Sequence, residues 1–281
     1  MTLRAPAFGW GVLLAATLPA AFGPIPVQLG FAGVTVGMVG LAHGASDLAI
    51  VKTDRRGAFL WAYVLVTLVC LAWWITASAV ALPAFLLASG LHFGLEDAPA
   101  DRPLERLGRG ISLVATPATL HIVALTNLLS LAGLPKDIAP ALVDMLAIAG
   151  GAAAAGLVWR GIALADRRLI IGTVALLLLP PLIGFSLGFL ILHALPQTTE
   201  RRVRLGCATT AAYLRETWPI LLAAVILVCA IVIIVLRWDS TGVRSLFAAI
   251  AALAMPHLLV TPWFEQPMQR FRQTTAAIRS S

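Results

Sequence analysis

The stretch Leu41-Ala42-His43-Gly44-Ala45-Ser46-Asp47 lies near the end of a long apolar run, Val27 to Val51. Residues four apart share one face of a helix, so His43 and Asp47 are predicted to be neighbours on that face. The run is long enough to cross a bilayer, whose hydrocarbon core needs about 20 helical residues. Ionisable side chains are costly inside a membrane and usually functional there. The stretch therefore predicts a membrane helix that carries part of a buried site.

The composition of the whole chain extends this prediction. Of its 281 residues, 60% are hydrophobic and 12% are charged, against about 25% charged in average soluble domains. The short alternating segments of a membrane β-barrel, about 10 residues each, are absent. We expect an all-α fold, a polytopic integral membrane bundle of about 8 transmembrane helices, with residues 1–281 forming a single membrane domain.

Nine apolar segments follow one another along the chain. They cover residues 8–22, 27–51, 58–78, 80–97, 111–131, 138–159, 169–195, 218–236 and 243–260. The segment 169–195 is interrupted by Pro180-Pro181. It is expected to be either a re-entrant pair of half-helices, which is tolerated where the backbone is buried in protein, or a single kinked span.

Basic residues concentrate in the loops 52–56, 102–109 and 160–168, and again in a tail that contains Arg270. The positive-inside rule places such loops on the cytoplasmic side. The net charge of +7 is therefore interpreted as a topology signal of a multi-pass protein of the cell inner membrane, and no nucleic-acid partner is expected. The arginines between 201 and 215 lie on the same side only if the segment 169–195 re-enters.

All five histidines lie within or at the ends of apolar segments, at positions 43, 92, 121, 193 and 257. Each is 8 to 13 residues from a cationic position, so all could reach a similar depth in the cytoplasmic half of the bilayer. A helix–helix hydrogen bond would explain one such residue, but five at one depth favour a shared metal site. Imidazole suits iron, copper, zinc and nickel alike. Asp47, Glu96 and Asp97 would then orient the ligating rings.

Several motifs in chain order resemble the Brp/Blh family of bacterial and archaeal membrane-integral β-carotene 15,15′-dioxygenases. The motifs are His43-Gly44-x-x-Asp47, His92-Phe93-Gly94-x-x-Asp97, Thr116-Pro117-x-x-Leu120-His121, Leu192-His193 and Pro256-His257. The resemblance implies a non-haem Fe(2+) centre that cleaves the central double bond of β-carotene, or of a related carotenoid, with molecular oxygen. The product would be retinal, which in this family often serves a rhodopsin.

The resemblance also assigns the metal ligands. By position, His43, His92 and His193 would bind the iron, and no catalytic side chain beyond the ligands is implied. The family has a second histidine four residues after the one that matches His193, where this chain has Gln197. His257 is the expected fourth ligand, with His121 as the alternative and a three-histidine site also open. Asp47, Asp97, His121 and Gln197 are expected as orienting residues or alternative ligands. The apolar substrate and oxygen would both arrive through the membrane lipid.

Other functional classes are weighed against this one. A transporter of metal ions or small solutes fits intramembrane histidines and a broken segment, although no inverted repeat is visible. A rhodopsin would need an intramembrane lysine, and the two lysines, Lys52 and Lys136, fall in predicted loops. A haem protein with paired histidines stays open, since the spacing does not exclude it.

Overall fold

The computed structural model describes residues 7–264, with side chains described from residue 11. No strand occurs in this range, which confirms the all-α prediction. The basic tail around Arg270 lies outside the described residues. The helices are α1 (Ala7–Phe22), α2 (Ile25–Val34), α3 (Leu41–Gly44), α4 (Asp47–Ile50), α5 (Arg56–Asp97), α6 (Pro103–Thr119), α7 (Ile122–Leu131), α8 (Ala139–Ala163), α9 (Arg167–Leu178), α10 (Pro181–Phe189), α11 (Leu195–Arg204), α12 (Thr210–Val235) and α13 (Val243–Phe264).

Many of these helices are built to cross a membrane. Six helical stretches of the described chain are long and apolar enough to span a bilayer, or up to seven if the bent pair α6–α7 counts as one span. Their outward faces carry many large apolar side chains, as lipid contact requires. The chain is therefore a polytopic membrane protein.

The 42-residue helix α5 folds back on itself at Ala77, where φ is −145° and ψ is 52°. Phe59 on its first leg contacts Phe264 at the end of α13, with ring centroids 5.5 Å apart. His92, on the second leg of α5, lies beside His257, which is also on α13, with ring centroids 5.1 Å apart. A straight helix would separate Phe59 and His92 by about 50 Å. The two legs thus correspond to the expected segments 58–78 and 80–97.

The segment 169–195 forms a hairpin that breaks between α9 and α10. A Cβ on Gly172 would meet the side chain of Leu192, and a Cβ on Gly188 would meet that of Leu176. These pairs show two antiparallel legs packed closely together. The break at Pro180-Pro181 is confirmed, and the re-entrant arrangement stays a prediction, because Pro181–Arg204 is by itself long and apolar enough to span a bilayer.

The expected segment 111–131 is not one straight helix. Helices α6 and α7 are bent by 104° relative to each other, and the chain breaks between them at Leu120 and His121. Pro117 lies one turn before the break and removes a backbone donor from the helix there. His121 therefore caps a helix corner and does not lie within a straight span.

The second leg of α5 packs unusually closely against α6. A Cβ on Gly94 would lie 2.6 Å from the carbonyl oxygen of Arg106, and a Cβ on Gly110 would lie 2.1 Å from that of Gly90. Only glycine permits two membrane helices to approach so closely. This contact fixes the rotation of the helix that carries His92.

The basic loops gather at one end of the bundle. Glu105 is buried and pairs with Arg109 at 2.8 Å and with Arg160 at 2.7 Å, which joins the start of α6 to the end of α8. Arg201 approaches Asp47 at 3.6 Å at the same end. The histidines lie just beneath this arginine-bearing end.

Candidate metal centre

Four of the five histidines meet at one point, each from a different part of the fold. His43 is on α3, His92 on α5 and His257 on α13, while His193 lies in a π-helical turn, Leu190–Ala194, between α10 and α11. The ring centroids of His43 and His92 each lie 5.1 to 5.3 Å from those of both His193 and His257. The structure thus brings together the four histidines predicted as metal ligands.

Each of these rings has a buried nitrogen without a hydrogen-bond partner among the described residues. The atoms are Nδ1 of His43 and Nε2 of His92, His193 and His257. A buried polar atom without a partner costs about 1–3 kcal/mol, so four in one place require an explanation. Neutral imidazole nitrogens are good ligands for first-row transition metals. The donor set therefore fits a metal ion of this kind.

Two of the rings are each hydrogen-bonded to an aspartate through their second nitrogen, Nδ1. Asp97 accepts a hydrogen bond from Nδ1 of His193, with oxygen distances of 2.9 and 3.1 Å. Asp47 accepts one from Nδ1 of His257 at 2.5 Å. A neutral imidazole that donates from Nδ1 keeps Nε2 free as a ligand atom, which is the usual carboxylate–histidine–metal arrangement.

The partners of these aspartates differ from those expected. Asp47 binds His257 and not His43, because the helix is interrupted between α3 and α4 and the neighbour relation four residues apart is lost. Asp97 binds His193 and not His92, since five residues along a continuous helix turn a side chain away from the starting face. Each aspartate thus hydrogen-bonds a histidine from another helix.

Glu96, unlike Asp47, contacts the histidine four residues before it in the sequence. It lies four residues after His92 on the uninterrupted second leg of α5, and its Oε2 is 3.4 Å from Nε2 of His92. Ligand atoms of His92, Glu96 and His193 all lie within 4.8 Å of one another. The carboxylate thus faces the same point as the rings.

Gln197 and His121 take separate positions. The side chain of Gln197 is buried and its Nε2 lies 3.4 Å from Oδ1 of Asp97 and from the carbonyl oxygen of Glu96. It therefore supports a carboxylate and contacts no ring nitrogen. His121, at the corner between α6 and α7, has no ring contact with the other histidines of the described chain, so the fourth ring of the cluster is that of His257.

Irregular helix geometry places His43 and His193. A π-helical turn, Thr35–Gly40, precedes His43, and another contains His193. Such turns are rare in proteins as a whole, but those that occur are often at functional sites. The hydroxyl of Tyr213 donates a hydrogen bond of 2.6 Å to the carbonyl of Ala42 and is fully buried. Sequence reasoning did not identify Tyr213, because no pattern around it signals a contact 171 residues away.

A cavity of about 340 Å³ adjoins the cluster, and all four rings are on its wall. The remainder of the wall is almost entirely apolar, with Phe85, Phe185, Phe189, Phe247 and several leucines. Leu60 and Leu227 line the cavity and are also exposed on the outside of the bundle. The cavity therefore suits an apolar ligand and reaches the surface that faces lipid.

Comparison with known proteins gives one match. Residues 34–265 match the family described as beta-carotene 15,15′-dioxygenase. This range contains all four histidines of the cluster, Asp47, Glu96, Asp97 and Gln197. No curated protein and no solved structure matches the chain.

Proposed function

Because the chain belongs to the β-carotene 15,15′-dioxygenase family, we propose that it is an iron-dependent membrane oxygenase. Its substrate is β-carotene or a related carotenoid, cleaved at the central double bond to give retinal. The carbon–carbon double bond and the O–O bond break, and two aldehyde C=O bonds form. The observation that supports this proposal is the cluster of four imidazoles on the wall of an apolar cavity.

The cluster fits Fe(2+) by the chemistry of its donors. His43, His92, His193 and His257 would hold the ion, each through the buried nitrogen that has no other partner. When bound, ferrous iron supplies the redox chemistry that activates molecular oxygen. Asp97 and Asp47 keep Nδ1 of His193 and His257 protonated, so that Nε2 stays available.

The rest of the cavity binds and protects the substrate. Its phenylalanine and leucine side chains accept a polyene and exclude water, which would compete for the same space. Both substrates enter from lipid: the carotenoid is apolar, and oxygen dissolves readily in hydrocarbon. The positive-inside pattern supports residence in the cell inner membrane, with a rhodopsin as the acceptor of the retinal product.

The proposal is tested with full-length protein purified in detergent, loaded with Fe(2+) and supplied with β-carotene and oxygen. Chromatography should detect retinal, two molecules for each carotenoid consumed. His257→Ala should lose both iron and activity, whereas His121→Ala should retain both because His121 lies outside the cluster. Iron-loaded protein that forms no retinal would contradict the proposal.

A transporter of metal ions or small solutes is the second candidate. The two broken elements, α6–α7 and α9–α10, favour it because transporters often bind substrates at such breaks. The apolar wall of the cavity does not favour a hydrated cargo. Metal uptake into proteoliposomes, with no retinal formed from β-carotene, would select this candidate.

A further inference from the structure

We infer that Glu96 is a direct ligand of the metal, so that the centre combines imidazoles with one carboxylate. The inference rests on the proposed function because it requires a bound metal ion. It goes beyond the proposed function by assigning a carboxylate oxygen as a ligand. Among the described residues, the group of ligand atoms that lie within 4.8 Å of one another consists of His92, Glu96 and His193.

The side of the ring that Glu96 contacts distinguishes a ligand from an orienting residue. Asp97 and Asp47 orient their rings by binding Nδ1, the nitrogen that points away from the cluster. Glu96 instead lies 3.4 Å from Nε2 of His92, which is the buried nitrogen without a partner. Its own Oε2 is also buried without a hydrogen bond. The two atoms therefore face each other within the cluster, as two ligands of one ion would.

The backbone holds Glu96 in this place. His92 and Glu96 are one helical turn apart on a continuous leg of α5, so their side chains share a face. Gly94 between them fits against the carbonyl of Arg106 so closely that even a Cβ would collide with it. The leg cannot rotate, and its acidic side chain stays turned towards the cluster.

Charge supports a carboxylate at this point. Neutral imidazoles carry none of the negative charge that a divalent cation requires, and uncompensated charge is costly within a membrane. Carboxylate and imidazole occur together as ligands in many non-haem ferrous oxygenases. Glu96 would add one negatively charged ligand to the four imidazoles.

The test compares Glu96→Gln and Glu96→His with wild type, using the full chain in detergent. Gln keeps the shape but is neutral and a poor ligand, whereas His is a ligand of another type. Glu200→Gln, on an exposed residue of α11, is the matched control for loss of one negative charge. Fe(2+) affinity is measured by competition with a chelator, and ligand number by the absorption bands of Co(2+) bound in place of iron.

For Glu96→Gln we expect the Fe(2+) affinity to fall more than about 100-fold, beyond the 10- to 100-fold typical of lost orienting residues. At saturating Co(2+), the absorption bands of Glu96→Gln should differ from those of wild type. Glu96→His should bind the metal again. Glu200→Gln should match wild type in both measurements. Unchanged Co(2+) bands in Glu96→Gln at saturation would overturn the inference, as would loss of binding in both folded Glu96 variants. Wild type that binds no metal would instead contradict the proposed function.

Discussion

Asp47 and Asp97 are alike in sequence but differ in what they hold together. Each follows a histidine by four or five residues, and each accepts a hydrogen bond from Nδ1 of a histidine elsewhere in the fold. Asp97 directs both oxygens at the single nitrogen of His193 and receives a long, 3.4 Å contact from Gln197. Its role is confined to one ring.

Asp47 also holds one ring, but it has further partners on other helices. Its Oδ2 accepts hydrogen bonds from His257 and, at 2.8 Å, from the hydroxyl of Thr261, while its Oδ1 lies 3.6 Å from the buried guanidinium of Arg201. It therefore joins α4, α11 and α13 at the arginine-bearing end. The difference indicates that Asp47 supports both the fold and the histidine cluster, whereas Asp97 supports the histidine cluster alone.

Asp47→Asn is expected to have the largest effect. The substitution removes a carboxylate beside the buried guanidinium of Arg201, and breaking a buried ion pair costs about 3–5 kcal/mol. The free energy of unfolding in detergent should fall by this amount, and the Fe(2+) affinity should fall with it. Asp54→Asn, on an exposed loop residue, is the control and should leave both unchanged. A loss below about 1 kcal/mol would show that Arg201 does not depend on Asp47.

Asp97→Asn should separate binding from folding. The Fe(2+) affinity should fall about 10- to 100-fold, because the amide holds His193 in its ligating tautomer less firmly than the carboxylate does. The free energy of unfolding should fall by only about 1 kcal/mol, since Asn keeps the shape and one acceptor. Chelator competition and detergent unfolding measure the two quantities on the same sample. Equal losses of stability in Asp97→Asn and Asp47→Asn would contradict the distinction between the two aspartates.

Gln197→Ala should have a smaller effect. The amide contacts are 3.4 Å long, near the limit for a hydrogen bond, so their loss should reduce the Fe(2+) affinity no more than about tenfold. Complete loss of iron would instead show that Gln197 occupies the ligand position of the histidine it replaces. The same chelator competition decides between these results.

The sequence was sufficient to predict that histidines from distant segments lie together, because depth in a membrane can be counted along a helix. Four of the five histidines at one depth do meet. His121 does not, since counting residues reveals neither the 104° bend before α7 nor the direction in which a side chain points.

The pairing of acids with histidines was less predictable, for a local reason. Two acids lie four residues after a histidine, but only Glu96 is joined to its histidine by unbroken helix. The chain from His43 to Asp47 turns at Ala45 and Ser46, and the π-helical turn before it depends on tertiary packing. No sequence pattern predicts either of these departures from regular helix, so the partners of Asp47 could be found only from the structure.

A third aspartate extends the comparison outside the membrane-spanning helices. Asp239, in the loop before α13, accepts hydrogen bonds of 2.8–2.9 Å from the backbone N–H groups and hydroxyls of Thr241 and Ser245. Burial alone would raise the pKa of Asp239, but these donors outweigh it and hold the pKa below its usual value. Like Asp47, it therefore stabilises the fold as a carboxylate, here at the start of a helix.

The lowered pKa of Asp239 gives its contribution a definite pH dependence. A carboxyl whose pKa is lower in the folded state stabilises the protein above the unfolded value of about 3.9, and this stability is lost as the pH falls through the folded pKa. Asp239→Asn replaces one of the two oxygens, each of which accepts two hydrogen bonds, with an NH2 donor, so it should cost about 1–3 kcal/mol at neutral pH. The difference between wild type and variant in detergent unfolding should be constant from about pH 5 to 7 and should shrink below about pH 4. A difference that stays the same down to about pH 3 would show that the carboxylate charge of Asp239 contributes nothing to the stability of this loop.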